Sequence, residues 1–300
     1  MKILLLGASG QLGWQLRRSL SVVGDVTALD RGSAPLCGDL ARPEELARTV
    51  QAVNPEVIVN AAAYTAVDRA ETQRDEAFAI NASACSILAE AARSCGAWLV
   101  HYSTDYVFDG SGELPWRESD PAAPISVYGR SKLAGERAVA QGCDRHLILR
   151  TSWIFESWGQ NFLKSILRAA AAQESLRVVD DQWGAPTRAA LIADVTAHIL
   201  RQLQPQAAGI YHVAAAGATT WHEYAVLAVD HALRCGMPLK ASPDTITAIA
   251  SSQYPQAAAR PRNSRLDTSR LRATFGVNLP PWQDGVRAVV AELAALTAKI

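Results

Sequence analysis

Tyr128 and Lys132 are the residues of this sequence whose types and spacing first indicate chemistry. They stand four residues apart, so on a helix both side chains project from one face, with Cβ atoms about 5–6 Å apart. A cation held near a phenol favours the phenolate and lowers the pKa of the tyrosine from its reference of about 10. We therefore expect this pair to pass a proton near neutral pH, provided that other residues bring a ligand to it.

A glycine-rich turn near the N-terminus predicts a dinucleotide site. An apolar strand at residues 2–7 runs into the sequence GASGQLG, and a helical pattern follows at once. Glycines leave the backbone open to a pyrophosphate, and the helix N-terminus supplies N–H donors and a positive dipole end. The expected phosphate contacts are Gly7, Gly10, Gln11, Leu12 and Gly13.

Residues after the next strands are expected to contact the rest of the dinucleotide. Asp30 ends the second strand, where an acid accepts hydrogen bonds from ribose hydroxyls and repels a 2′-phosphate. The adjacent Arg31 attracts that phosphate, which leaves both NADH and NADPH open. Asp39 and Leu40 end a loop that should lie near the adenine. After the third strand, the expected cofactor contacts are Ala63, Tyr64 and Thr65. The small residues at this strand end suit either a cofactor lying close to the sheet or helix–sheet packing.

The fourth predicted strand, residues 98–104, ends in hydroxyl groups. Ligands of an open parallel sheet bind at the carboxyl ends of its strands. We expect the Thr104 hydroxyl, or its competitor Ser103, to hydrogen-bond a substrate carbonyl or the Tyr128 phenol. Tyr102 joins Tyr128 and Lys132 as the remaining expected cofactor contacts.

Alternating apolar runs and helical patterns predict the fold class. The predicted strands are residues 2–7, 25–30, 56–63, 98–104 and 146–154, and the helices between them include 11–22, 43–53, 75–95 and the one that carries Tyr128. Such alternation is typical of an α/β fold with a Rossmann-type doubly wound parallel sheet. Residues 1–155 are expected to form the dinucleotide-binding domain, although later strands could return to its sheet, and residues 156–300 a smaller α/β substrate-binding lobe.

The second half is less regular. Its predicted helices are residues 161–172, 191–203, 221–235 and 284–298, and its predicted strands are 176–180 and 209–214. Residues 242–265 are rich in proline, serine and arginine, and we expect them to form an ordered loop over a pocket.

Composition argues against several classes of partner. The 300 residues are 49% hydrophobic and carry 29 basic against 29 acidic side chains, so no basic field favours nucleic acid or a membrane surface. No apolar run approaches the ~20 residues of a membrane span. Five cysteines without a CxxC spacing are typical of reduced thiols. We expect a cytoplasmic protein without a metal-ligand cluster.

Several longer motifs make the sequence resemble the dTDP-4-dehydrorhamnose reductase family of the extended short-chain dehydrogenase/reductase superfamily. They are the glycine turn, STDYVFDG from residue 103, VYGRSKLAGE from 127, RTSWIF from 150, VVDDQWGAPT from 178 and RPRNSRLD from 260. The resemblance runs nearly from end to end. It implies NADPH- or NADH-dependent reduction of the 4-keto group of a nucleotide sugar, dTDP-4-dehydro-L-rhamnose.

The resemblance also implies roles for individual residues. Tyr128 would donate the proton to the oxyanion at C4, Lys132 would hold the nicotinamide ribose and lower the Tyr128 pKa, and Thr104 would polarise the carbonyl. The implied substrate contacts are Thr104, Asp105, Trp153, Asn161, Arg260 and Asn263.

The sequence departs from the family's pattern at a magnesium site. Some members of the family dimerise around magnesium held by carboxylates, but Gln15 and Ala190 stand at what look like two of those positions. Asp194 remains, and one carboxylate is a poor site for a hard cation. We therefore expect no interface magnesium, and a monomer or a weak homodimer.

Two other readings remain open. A dehydratase or epimerase could use the same fold, although Tyr106 stands where a dehydratase has glutamate after Thr-Asp. A non-catalytic dinucleotide-binding subunit is also possible on this fold, but it has no need for Thr104, Tyr128 and Lys132 together.

Overall fold

The computed structural model describes residues 1–297. The strands are β1 (Lys2–Leu6), β2 (Asp25–Leu29), β3 (Val57–Asn60), β4 (Trp98–Thr104), β5 (His146–Thr151), β6 (Ile154–Phe155), β7 (Leu176–Val179), β8 (Trp183–Gly184), β9 (Thr187–Arg188), β10 (Gly209–His212), β11 (Thr219–Thr220) and β12 (Ile246–Ile249). The helices are α1 (Gln11–Leu20), α2 (Pro43–Val53), α3 (Val67–Ala70), α4 (Arg74–Phe78), α5 (Ala84–Cys95), α6 (Val127–Gly142), α7 (Phe162–Ala172), α8 (Ala189–Leu200), α9 (Trp221–Arg234), α10 (Ser269–Phe275) and α11 (Trp282–Thr297). The predicted last helix reaches Ala298, which lies outside the described residues.

A six-stranded parallel sheet organises the chain, in the order β10-β5-β4-β3-β1-β2. The predicted fold class is confirmed. The strand order reverses at β1, which pairs with β2 on one side and β3 on the other. Leu6 lies opposite both Leu29 and Asn60, so the carboxyl ends of these strands form one edge. An open α/β sheet binds its ligands at this kind of reversal.

Helices cover both faces of the sheet because the strands are apolar on both sides. Leu12, Leu16 and Leu20 recur every four residues on α1 and pack with α8 against one face. Helices α2, α5 and α6 cover the other face. Each leucine buried in these layers contributes about 1.5–3 kcal/mol relative to exposure. Strand β10 completes the sheet beside β5, so part of the second half does return to it.

The second half adds a lobe with its own core. Phe155, Leu163, Tyr224 and Val286 are buried there between α7, α9 and α11. Residues 242–265, predicted as a loop, contain β12, which pairs in parallel with β7. The division at residue 155 stays a prediction.

The predicted helix 75–95 contains an irregularity next to the site. Between α4 and α5 the backbone makes a π-helical turn at Ala79–Ser83. Asn81 in this turn accepts from the Tyr64 N–H at 2.9 Å and donates to the Tyr64 carbonyl at 3.0 Å and to Ser131 Oγ on α6 at 3.0 Å. This turn therefore ties the loop after β3 to the helix that carries Tyr128.

Candidate functional site

A cleft of about 950 Å³ lies at the carboxyl edge of the sheet. Most of the side chains and glycines predicted to bind ligands line it. They are Gly7, Gly10, Gln11, Leu12, Asp30, Arg31, Asp39, Leu40, Ala63, Thr65, Tyr102, Thr104, Asp105, Tyr128, Lys132 and Trp153. The structure thus brings the glycine turn and the Tyr128 helix to one cavity.

The glycine turn has the shape that a pyrophosphate requires. Helix α1 begins after Gly10, and no side chain caps its N-terminus, so backbone donors face the cleft. A Cβ on Gly10 would meet its nearest neighbour at 3.4 Å, whereas a Cβ on Gly13 would lie 1.9 Å from the Gly7 carbonyl oxygen. Gly13 therefore packs the helix against the turn and does not line the cleft, while the turn fits a bound diphosphate.

The end of β2 presents one acid and one base to the cleft. Asp30 Oδ1 accepts hydrogen bonds from Gly32 N at 3.0 Å and from Ser33 Oγ at 3.1 Å, which fixes the tight turn after the strand. Arg31 is exposed beside it. Arg31 is therefore accessible to a phosphate on a ribose. One carboxylate oxygen of Asp30 is already engaged by hydrogen bonds within the turn.

Thr104, Asp105 and Tyr128 meet at the end of β4. Thr104 Oγ1 donates to Asp105 Oδ1 at 3.1 Å and accepts from Tyr106 N at 3.2 Å. Burial raises the pKa of Asp105 from 3.8 to about 7. Helix α6 comes close enough to this strand end to require glycine, because a Cβ on Gly129 would lie 2.2 Å from the Tyr106 carbonyl oxygen.

The pKa of Tyr128 differs from the expectation. Burial raises it above the ordinary value, the negative charge of Asp105 raises it further, and a hydrogen bond with Thr104 works in the opposite direction. Lys132 is not among the groups that lower it, and its Nζ atom donates to the Tyr102 carbonyl at 2.7 Å. The expected depression of the Tyr128 pKa by Lys132 is therefore wrong for this structure, and the phenol holds its proton at neutral pH.

Three buried polar atoms around the cleft lack a hydrogen-bond partner in the part of the chain that the structure describes. They are Ser103 Oγ, Asp105 Oδ2 and Thr151 Oγ1. Thr151 pairs with Thr104 across β4 and β5, so these atoms share the sheet edge beside Tyr128. Buried polar groups are normally bonded, and unpaired ones in a cleft indicate where a polar ligand binds.

Aromatic residues from the second half form the opposite wall. Trp153 has a left-handed backbone, with φ 48°, an uncommon conformation for a bulky residue that is associated with functional sites. Its ring stacks on Trp221 with centroids 3.6 Å apart. Trp158 Nε1 donates to Ser9 O at 3.3 Å and so extends this wall across the glycine turn. The sequence reasoning missed Trp158 and Trp221, and their only signal was the tryptophan-rich character of the second half.

Two predicted residues serve local structure beside the cleft. The Tyr64 phenol donates to Gln73 Oε1 at 2.7 Å, with its ring buried under the sheet. Asn161 caps α7 by accepting from Lys164 N at 3.0 Å, and it donates to Gln11 Oε1 at 2.7 Å. Asn161 therefore reaches the glycine turn through Gln11 and does not line the cleft itself.

The two residues predicted from the RPRN segment are also engaged elsewhere. Arg260 forms a bidentate ion pair with Asp68, at 2.8 and 2.7 Å, and this closes the segment onto α3. Asn263 donates to the Leu114 carbonyl at 2.8 Å and lines a second cleft. The structure does not place either side chain in the lining of the main cleft.

The position considered for magnesium is occupied by an ion pair. Asp194 Oδ1 accepts from Arg18 Nη2 and from Ser19 Oγ, each at 2.6 Å. Within residues 1–297, no group of three or more His, Cys, Asp or Glu side chains is placed to hold a metal. No helix of the described chain is long and apolar enough to cross a membrane.

Together, the parallel sheet, the uncapped glycine turn and the Tyr128 helix define a Rossmann-type α/β protein with a dinucleotide-sized cleft. The chain belongs to the family described as RmlD substrate binding domain, which matches residues 1–295.

Named relatives and solved structures agree with this membership. The dTDP-4-dehydrorhamnose reductase of Salmonella typhimurium is 48% identical over 299 residues, covering 99% of both chains. The Escherichia coli K12 protein of the same name is 48% identical over 300 residues, covering 99% of this chain and 100% of its own. A crystal structure of the Bacillus anthracis dTDP-4-dehydrorhamnose reductase in complex with NADP is 33% identical, with a TM-score of 0.88 over 97% of this chain and 100% of that one.

Proposed function

We propose that this protein reduces the C4 keto group of dTDP-4-dehydro-L-rhamnose to give dTDP-L-rhamnose, with NADPH or NADH as the reductant. The observation that carries the proposal is the hydrogen bond between the Tyr128 phenol and the Thr104 hydroxyl, in a cleft at the sheet edge that Lys132 also lines and that fits a dinucleotide. The substrate comes from the names of relatives that match almost the whole chain at 48% identity.

The residues of the cleft supply proton transfer and orientation. When bound, the dinucleotide supplies the hydride that C4 receives. The half-buried Tyr128 side chain keeps its phenolic proton at neutral pH and donates it to the oxyanion that develops on the sugar. Lys132 lines the same cleft and is the group expected to hold the nicotinamide ribose of the bound dinucleotide. The hydrogen bond from Tyr128 to the developing charge is strongest in the transition state, where it lowers the barrier, and Thr104 orients the phenol through its own hydrogen bond.

Other groups of the cleft suit a nucleotide-linked sugar. The stacked indoles of Trp153 and Trp221 give the cleft an apolar wall that suits a sugar ring. The unpaired Ser103 and Thr151 hydroxyls and the Asp105 carboxyl offer donors and acceptors to the sugar or to the carboxamide of the reductant. We therefore place a small molecule, and no macromolecule, in this cleft.

We also propose that the protein acts as a monomer or a weak homodimer without an interface metal. The Arg18–Asp194 ion pair supports this, because it occupies the carboxylate that a cation would need. A dimer that dissociates on chelation, together with stoichiometric magnesium, would contradict it.

The function is tested by mixing purified protein with dTDP-4-dehydro-L-rhamnose and either NADPH or NADH. We expect stoichiometric oxidation of the reduced dinucleotide and formation of dTDP-L-rhamnose, identified by NMR. An epimerase would change the sugar without net oxidation, and a regulatory subunit would bind the dinucleotide without turnover. Either outcome would refute the proposal.

A further inference from the structure

His101 is a buried residue that contacts Lys132 from inside the sheet. It lies on β4 with 1% of its surface exposed. Its Nε2 atom is 3.4 Å from Lys132 Nζ, and its Nδ1 atom is 3.2 Å from Asn60 Nδ2 on β3. Burial and the charge of Lys132 hold the pKa of His101 well below its ordinary value, so the imidazole is neutral.

The orientation of Asn60 decides which nitrogen of His101 carries the proton. Asn60 Oδ1 accepts from Ala62 N at 3.2 Å, so its Nδ2 group faces the imidazole and donates to Nδ1. A neutral imidazole has one donor and one acceptor nitrogen. Because Nδ1 is the acceptor, Nε2 carries the proton and presents an N–H to Lys132.

A protonated lysine cannot use that N–H, because an ammonium group has three donors and no acceptor. The neutral amine of Lys132 can accept it, while still donating to the Tyr102 carbonyl at 2.7 Å. His101 therefore makes a complete hydrogen bond with the neutral form of Lys132 and faces the charged form donor to donor.

The other groups around Lys132 do not cancel this preference. Burial raises the pKa of the Cys85 thiol on α5 to about 11, so it brings no negative charge near neutral pH. Glu136, one turn further along α6, is bound by Arg150 through Nε at 2.8 Å and Nη2 at 2.6 Å. The guanidinium of Arg150 therefore offsets most of the Glu136 charge. Burial lowers the pKa of Lys132.

We propose that His101 is a positioning residue of this site: it holds Lys132 against the Tyr102 carbonyl and favours the neutral over the charged form of the lysine. This rests on the proposed function only for its consequence in catalysis. That consequence is a pH dependence of turnover, because the protonation of Lys132 sets a charge in the lining of the cleft.

Direct titration of Lys132 tests the proposal without any need for activity. The chain has five lysines, so the ¹³Cε signals of selectively labelled protein are few, and a Lys132→Met variant assigns the relevant one. In His101→Gln, the amide carbonyl is free to turn toward the cation and accept from it. We expect the Lys132 titration midpoint to rise by about one pH unit in this variant. His101→Asn, which only removes the facing donor, should raise it less.

His212→Gln is the matched control. This histidine is also fully buried, with Nδ1 3.1 Å from the Trp116 carbonyl oxygen, and it lies outside the lining of the cleft. We expect it to leave the Lys132 midpoint unchanged. The proposal is overturned if both His101 variants titrate as wild type does, if their midpoints fall, if the His212 variant moves the midpoint equally, or if wild-type Lys132 stays charged until the protein unfolds.

The pH profile of dinucleotide oxidation provides the catalytic readout. We expect the basic limb of kcat/KM to move upward in the two His101 variants and to stay in place in His212→Gln. A shifted lysine midpoint in a protein without reductase activity would preserve the role of His101 and refute the proposed function. An unshifted Lys132 midpoint in an active enzyme would refute the role of His101 and preserve the proposed function.

Discussion

The buried carboxyl of Asp105 should make the stability of this protein depend on pH in a defined direction. Its side chain is 2% exposed, and burial raises its pKa from 3.8 to about 7. Between these values the unfolded chain releases the proton and the folded protein keeps it. Stability is therefore full below about pH 4 and falls as the pH rises toward 7. Since one pH unit corresponds to about 1.4 kcal/mol, the loss reaches about 4 kcal/mol.

Asp105→Asn removes this titration while keeping the shape of the side chain. We expect the variant to gain stability over wild type by about 1.4 kcal/mol for each pH unit between 5 and 7, and to hold a constant advantage above that range. Urea denaturation at several pH values, followed by circular dichroism, measures the difference. Asp109→Asn is the control, because hydrogen bonds from Ser111 lower the pKa of that carboxyl. A difference between Asp105→Asn and wild type that does not vary with pH would refute the reasoning.

Three further predictions concern the glycine turn, the end of β2 and the helix that carries Tyr128 and Lys132. Gly13→Ala should abolish dinucleotide binding or folding, because the new Cβ would lie 1.9 Å from the Gly7 carbonyl oxygen. Gly10→Ala should fold and lose only affinity for the dinucleotide. Thermal denaturation with and without NADPH distinguishes a loss of folding from a loss of binding. Arg31→Ala should raise the KM for NADPH by about tenfold and leave the KM for NADH unchanged, whereas Asp30→Ala should raise the KM for NADH. Steady-state kinetics with each dinucleotide measures both values. Equal effects on the two dinucleotides would contradict the assignment. Glu136→Gln should destabilise the protein by about 3–5 kcal/mol in urea denaturation, because its buried arginine partner keeps an unpaired charge.

Local sequence patterns were sufficient to predict the sheet and the glycine turn between β1 and α1. The apolar run before Gly7 and the periodic leucines of α1 depend on neighbours in sequence, so they are visible without a structure. The Tyr128–Lys132 pair and the hydroxyl at the end of β4 were predicted for the same reason, since parallel strands bring their carboxyl ends to one edge.

Contacts between distant segments could not be predicted in this way. Arg260 was expected at a diphosphate, but its guanidinium is bound by Asp68, 192 residues away in sequence. The contact of His101 with Lys132 depends on how closely α6 approaches β4. The pKa of Tyr128 was predicted to fall because spacing reveals the nearby cation, whereas burial, which decides the direction here, depends on the packed fold. The ligand roles of these residues and the oligomeric state stay predictions.

Single-turnover reduction by Tyr128→Phe tests the central claim most directly. With saturating NADPH and dTDP-4-dehydro-L-rhamnose, the variant lacks the proton donor and keeps the ring. We expect hydride transfer to slow by about 10²–10⁴-fold, while the Kd of NADPH, measured by fluorescence, stays at the wild-type value. An unchanged rate in a variant that binds NADPH normally would contradict the assignment of Tyr128 as the proton donor.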